Sequence, residues 1–337
     1  MRGCTLVAAT RFHTSPVPTS AALTWVYDAF NEVPYLRLRG DYGTGKTRGL
    51  IAIGSLCYKA FFASGASTTS PIFHTLDAFG GTLLLDEADF RFSDATAQLV
   101  KIFNNGTVRG LPVLRTVVNR HKEFNPQAFK VFGPKIIAMR GSFEDKALES
   151  RFLTEEMGTR SLREDIPIGL PASLKKEGLE LRNRLLHFRL CNLFRIKTDP
   201  SVISPDIEPR LNQTALSLLS LVDDPALRAE IMAGLVRQNA TTLADRSQTV
   251  EAGVTAALQE AFTEATGSSV SVRDVTDRFN ARFCAEYGHP FSNKWIGGVL
   301  GKQLRIETQK SHGVYVVPIS EKPKIDMLAA RFGLSRQ

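Results

Sequence analysis

The sequence predicts an α/β core on a parallel sheet, then a block of helices, then a small α+β domain. Three observations carry that expectation. Strand-like apolar runs alternate with helical patterns to about residue 160, as in successive strand–helix–strand units. Two of those runs, Thr82–Leu85 and Lys135–Met139, read as parallel strands buried on both faces. From Leu174 to Leu258 the pattern changes to long amphipathic helices.

Taken in order, residues 21–40 suggest a short helix and then a strand running into a glycine-rich turn. Thr47 to about Cys57 is periodic enough for a helix, Tyr58–Ala63 reads as a strand and Pro71–Phe79 as a short helix. Val113–Val118 and Phe129–Phe132 are β-rich runs flanking a polar segment, which predicts a hairpin with a long tip. Beyond the sheet, Leu174–Leu193 and Leu211–Leu235 form the helical block, with Pro225 expected to break or kink the second helix. From Gln248 to Ile319 the chain reads helix, short strand, two helices and a hairpin around His312–Gly313. The expected division is therefore 1–165 for the core, 166–247 for the helical block, 248–320 for the α+β domain and 321–337 for a tail.

Composition narrows the function classes. No apolar run approaches the roughly 18–20 residues needed to cross a bilayer. The first ten residues lack the apolar core of a signal peptide, so a cytoplasmic protein with no membrane partner is expected. Cys4, Cys57, Cys191 and Cys284 stand far apart, which suggests reduced thiols and neither a zinc site nor a disulfide framework. Net charge is +8, and it is unevenly spread. Residues 101–152 hold ten Lys/Arg against four Asp/Glu, and residues 270–337 hold eleven against six. Both stretches are candidate polyanion surfaces.

The chemistry is concentrated in two motifs. Gly40-Asp-Tyr-Gly43-Thr44-Gly45-Lys46-Thr47 fits G-x-x-x-x-G-K-[ST] in full, with a strand before it and a helix after it. Its glycines let backbone N–H groups cradle phosphate oxygens at a helix N-terminus. Lys46 is expected to reach the β- and γ-phosphates of ATP, and the Thr47 hydroxyl to ligate Mg²⁺. Forty residues after Lys46, the buried run Leu83-Leu84-Leu85 delivers Asp86 towards the metal and Glu87 towards the attacking water. An acid pair after three leucines is weak alone and strong at this spacing from a phosphate loop.

With those motifs, the chain resembles the AAA+ P-loop ATPases, in particular the helicase-like branch of superfamily 3 and of plasmid and phage primase-helicases. GDYGTGKT, LLLDEAD, VFGPKIIAMR and DKALESRF occur in that branch's order over most of residues 34–160. The resemblance implies an ATP-hydrolysing homo-oligomer, a hexamer, that moves single-stranded DNA through a central pore. It puts Arg140 at the sensor position, where Asn or Thr is commoner, with Ser142 as a substitute. Arg151 is similar to the arginine finger inserted into a neighbouring subunit's site, and Arg210 resembles a second sensor on the lid. The tip residues Arg120, His121 and Lys122, with Phe124, occupy the place of a pore hairpin that grips the strand. The C-terminal part resembles a winged helix, with Arg273–Cys284 and Ser292–Leu304 as helices and Ile306–Val317 as the wing. Lys294, Lys302 and Arg305 would then face duplex phosphates. A second expectation of a different class is a DNA-bound nucleotide switch that hydrolyses slowly and recruits other proteins.

Overall fold

The computed structural model describes residues 16–64, 68–86, 94–118, 124–143, 145–158, 169, 171–265, 267–287 and 289–334. It contains two compact units, Met1–Val236 and Arg237–Gln337.

In the first unit, helix α1 (Pro16–Leu23) leads to strand β1 (Tyr35–Arg39) and helix α2 (Lys46–Gly54). Strand β2 (Ala60–Ser64), helix α3 (Thr69–Phe79), strand β3 (Thr82–Asp86) and helix α4 (Asp94–Asn105) follow. A hairpin of β4 (Val113–Val118) and β5 (Phe124–Phe129) precedes β6 (Lys135–Met139), the short helix α5 (Lys146–Glu149) and β7 (Phe152–Glu156). The central sheet has the order β2-β3-β6-β1-β7, and every pairing in it is parallel. Alternate residues serve opposite faces. Leu36, Leu38, Leu84, Ile136 and Ala138 pack with Leu50 and Ile53 of α2. Tyr35, Leu83, Leu85, Ile137 and Met139 pack on the other side with Phe103 and Phe152. Burial on both faces explains why β3 and β6 show as unbroken apolar runs.

Two cations are buried in this sheet. Lys135 opens β6 at 1% exposure, its ammonium donating to the carbonyls of Val131 at 2.8 Å and Gly133 at 3.0 Å, beneath the Tyr35 ring. Burial pushes it down to about 7. A Cβ at Gly106 would stand 2.5 Å from the Val131 carbonyl that accepts from this ammonium and 2.7 Å from the Ile102 carbonyl, so glycine is needed there. Arg37, in the middle of β1 and 2% exposed, grips Glu149 with both ends of its guanidinium.

The hairpin departs from expectation in its second strand. Phe124–Phe129, and not Phe129–Phe132, pairs with Val113–Val118. Asn125-Pro126-Gln127 has weak strand propensity, and proline cannot donate to a ladder, so the run did not read as β. It is tolerated because this ribbon has only two strands and Pro126 is exposed.

The helices α6 (Ser173–Asn192) and α7 (Pro209–Leu219) belong to the first unit, and α8 (Pro225–Ser247) runs across the division. Leu185 and Phe188 of α6 and Leu211, Ala215 and Leu218 of α7 share one core with Trp25, Phe30 and Val33. Pro209 and Pro225 stand at the first helical position, where a missing N–H costs no hydrogen bond. Of the expected break or kink at Pro225, the structure shows a break: the segment is two helices.

The second unit comprises α9 (Val250–Glu264), β8 (Ser269–Ser271), α10 (Val272–Tyr287) and α11 (Asn293–Gly298), the last continued by a π turn. Then come β9 (Gln309–Ser311), β10 (Val314–Pro318) and α12 (Lys322–Arg331). The strands form an antiparallel sheet in the order β8-β10-β9, and the helices pack with it around Leu258, Phe279, Ile296, Leu300 and Val317. No helix among the described residues is long and apolar enough to cross a membrane. Cys57, Cys191 and Cys284 are all free, and burial pushes the Cys57 thiol up to about 12.

Candidate nucleotide site

Strand β1 ends at Arg39, whose carbonyl accepts from Met157 N at 2.6 Å, so the turn that follows is held against the end of β7. A Cβ at Gly40 would stand 2.7 Å from the Met157 carbonyl and 2.8 Å from Thr44 Oγ1, which only glycine avoids. Gly43 and Gly45 adopt φ of 73° and 84°, the left-handed region that admits glycine without strain. Thr44 Oγ1 donates to the Asp41 carbonyl at 2.8 Å and closes the loop. Gly45 caps α2, whose first N–H groups have no partner within the helix and favour an anion at that end. Lys46 folds over its own loop, its ammonium donating to the carbonyls of Gly40 at 2.7 Å and Asp41 at 2.6 Å.

The cleft beside the loop, about 410 Å³, is lined by Thr47 and Asp86 together with Phe62 and Ser64. Asp86 is there because β3 ends on it, in register with Ser64 of β2. A hydroxyl and a carboxylate facing one cleft are hard oxygen donors. They suit Mg²⁺, which takes one or two protein oxygens and completes its shell with water and substrate phosphate. Among the described residues no group of three or more His, Cys, Asp or Glu gathers to hold a metal by itself.

Strand β6 lies between β3 and β1, so the residue that follows it emerges between Asp86 and the phosphate loop. That residue is Arg140. Its guanidinium lies 4.3 Å from the centre of the Tyr42 ring and donates to the Tyr42 hydroxyl. Tyr42 is itself a residue of the loop, and nothing in the motif marks it as a platform. Ser142 accepts from Arg39 at 2.8 Å.

Arg151 and Arg210 lie at the other end of the sheet. Arg151 immediately precedes β7, in which Phe152 is opposite Tyr35, the first residue of β1. Its guanidinium donates to the carbonyls of Ala147 and, at 3.3 Å, Asn104. Burial first, and then the charge of Arg210, hold it below its ordinary value. Arg210 donates to Ser150 Oγ at 3.5 Å and pairs with Glu32 at 3.5 Å. The structure thus brings Gly40–Thr47, Asp86 and Arg140 together and sets Arg151 and Arg210 apart from them. Glu87, Arg120, His121 and Lys122 lie outside the described residues. Phe124 points outward at 80% exposure and is not folded back on the core. In the second unit Lys294, Lys302 and Arg305 are all exposed.

Sequence reasoning missed the pair Arg37–Glu149. The signal was a charge at an inward position of Tyr35-Leu-Arg37-Leu-Arg39. Glu149 Oε2 also accepts the backbone N–H of Phe143 at 2.9 Å, and Arg37 reaches Thr154 at 2.8 Å. One carboxylate therefore ties β1, the segment after Arg140 and the helix that leads to Arg151. Glu149→Ala is expected to cost about 3–5 kcal/mol of stability, because it leaves a buried guanidinium unpaired. Replacing Arg37 and Glu149 together by apolar residues is expected to cost less than Glu149→Ala. Chemical denaturation of both variants checks this, and equal losses would mean that leaving Arg37 unpaired adds no cost.

No family model and no curated protein matches the chain. Among solved structures it is similar to the C-terminal region of NrS-1, at 16% identity and a TM-score of 0.42, over 89% of this chain and 69% of that one. It is similar to an SCCmec type IV Cch described as an active helicase, at 10% identity and 0.38, over 92% of this chain and 66% of that one. Drosophila ORC bound to DNA gives 12% identity and 0.23, over 96% of this chain and 89% of that one.

Proposed function

We propose that the chain is an ATPase that works as a homo-oligomeric, hexameric DNA motor in the cytoplasm, in replication of a plasmid, phage or other mobile element. The observation that carries the ATPase reading is that Thr47 and Asp86 line one cleft beside the glycine-built loop. Lys46 would hold the β- and γ-phosphates, and Thr47 and Asp86 the Mg²⁺, whose charge eases phosphoryl transfer when it is bound. Glu87 would polarise the attacking water, and Arg140 would contact the γ-phosphate from the end of β6. Arg151 sits too far from its own loop to act there, which supports its insertion into a neighbour's site. The motor and mobile-element parts rest on the family resemblance.

DNA contact is assigned to the hairpin tip. The described outer face of the ribbon (Leu114, Thr116, Pro126, Ala128 and Phe124) is exposed and uncharged, so phosphate contacts fall to Arg120, His121 and Lys122. Exposed Phe124 is available to stack on a base. In the second unit, Lys294, Lys302 and Arg305 would meet duplex phosphates in a winged-helix arrangement. Trp295 lies 4.3 Å from Phe291, centre to centre, which supports a packing role for both rings.

The testing experiment measures ATP turnover with and without single-stranded DNA, alongside strand displacement. A motor gives stimulation and unwinding, and a nucleotide switch gives neither. Arg120→Ala with Lys122→Ala is expected to remove stimulation relative to that variant's own DNA-free rate. It should also reduce the salt slope of DNA binding by about 1 per lost phosphate contact. Unchanged stimulation and slope would remove the hairpin from the DNA path.

A further inference from the structure

We propose that Arg210 acts with Arg151 on the nucleotide bound by a neighbouring copy of the chain, not on the nucleotide of its own loop. This rests on the ATPase reading above and changes the role expected for a lid sensor.

The direction of the strands supplies the first reason. In a parallel sheet all strands start at one end and finish at the other. The phosphate loop follows the last residue of β1, whereas Arg151 precedes the residue paired with the first. Four residue steps separate those ends, roughly 13 Å at the rise of a strand. Arg210 is fixed at the starting end by several contacts. It reaches Ser150 Oγ and Glu32, while Thr214 of the same helix donates to the Ser150 carbonyl at 3.1 Å and Gln213 to Glu32 at 2.8 Å. Helix α7 is thereby docked where Arg151 emerges, and a contact from Arg210 to its own loop would require the helix to leave its core.

The second reason is the state of the polar groups gathered there. Arg151 Nε is buried without an acceptor, and so are Asn104 Oδ1 and Thr107 Oγ1 without partners. Among the described residues Arg151 donates to two backbone carbonyls, Ala147 and Asn104, and to no carboxylate. Arg210 shares Glu32 with Gln213 and bonds Gln213 Oε1 at 2.9 Å. Asp145, a further acid at this end, caps α5 through the N–H groups of Ala147 and Leu148, and its charge and that of Glu32 offset part of the repulsion between Arg151 and Arg210. Two guanidiniums held near each other repel, and an anion relieves that repulsion. The ligand class that suits two planar forks is a phosphoryl group with charge spread over several oxygens.

Subunit mixing separates the two roles. Arg151→Ala mixed with Lys46→Ala is the control for a shared site. Its failure, with subunit exchange demonstrated, overturns the shared-site reading and this proposal with it. With that control working, Arg210→Ala mixed with Lys46→Ala is expected to recover activity, because an intact loop can meet a neighbour carrying both arginines. Arg210→Ala mixed with Arg151→Ala is expected to stay inactive, because every neighbour lacks one of the two. An Arg210 acting within its own chain gives the reverse pattern and overturns the proposal. A second readout is affinity for ADP with aluminium fluoride, which should weaken about ten- to a hundred-fold in Arg210→Ala with ADP affinity unchanged. Equal affinity for the aluminium fluoride complex would also overturn it. Arg210→Gln, which keeps a donor for Ser150, serves if the alanine variant does not fold.

Discussion

Arg151→Ala is expected to lower kcat for ATP hydrolysis by on the order of 10³–10⁵, with nucleotide affinity near that of the unchanged chain. The expectation follows from where the charge is needed. A fixed guanidinium at the far end of the sheet contributes nothing to ground-state binding in its own loop. Inserted next to a transferring phosphoryl group, it stabilises charge that exists only in the transition state, so the loss falls on kcat and not on binding. Arg151→Lys keeps the charge but loses the fork, and should recover only part of the rate. Because Arg151 also holds the carbonyls of Ala147 and Asn104, the thermal midpoint must be measured beside the rate. A variant that stays folded and turns over ATP at the normal rate would show that Arg151 is a structural residue only.

The parts of this site that sequence made legible are those coded locally. Each glycine of Gly40–Gly45 answers to a backbone angle or a close approach, and Thr47 follows because the next turn is helical. Asp86 was legible because a strand buried on both faces leaves a run of leucines that must end in something polar. The interposition of β6 between β3 and β1 was not legible, since it depends on pairing between segments about fifty (β3 with β6) and about one hundred (β1 with β6) residues apart. Nor was the placement of Arg210, for a single arginine at a helix start carries no mark of which sheet end the helix docks against. The strand Phe124–Phe129 was hidden by Pro126, whose cost vanishes where only one neighbour needs hydrogen bonds. Arg37 was visible as a misplaced charge, but its partner Glu149 is 112 residues away.

Lys46→Ala and Glu87→Gln are expected to fail at different steps, and the difference tests the division of labour at the cleft. The Lys46 ammonium already lies over the loop, held by the carbonyls of Gly40 and Asp41, where phosphate oxygens would accept its protons. A charge-assisted hydrogen bond contributes about 1.5–3 kcal/mol, so its loss alone weakens ATP binding roughly ten- to a hundred-fold. Loss of the contact to the departing phosphoryl group then removes turnover. Glu87, next to Asp86 in sequence, would act on the water and not on the bound phosphates. Glu87→Gln keeps the shape and removes the base, which is expected to lower kcat by about 10²–10⁴ while ATP still binds. Equilibrium binding of a fluorescent ATP analogue and single-turnover hydrolysis, measured on both variants, separate the two steps. A Glu87→Gln protein that hydrolyses ATP at the normal rate would show that another group activates the water. A Lys46→Ala protein that binds ATP as tightly as the unchanged chain would remove the phosphate-binding role given to Lys46.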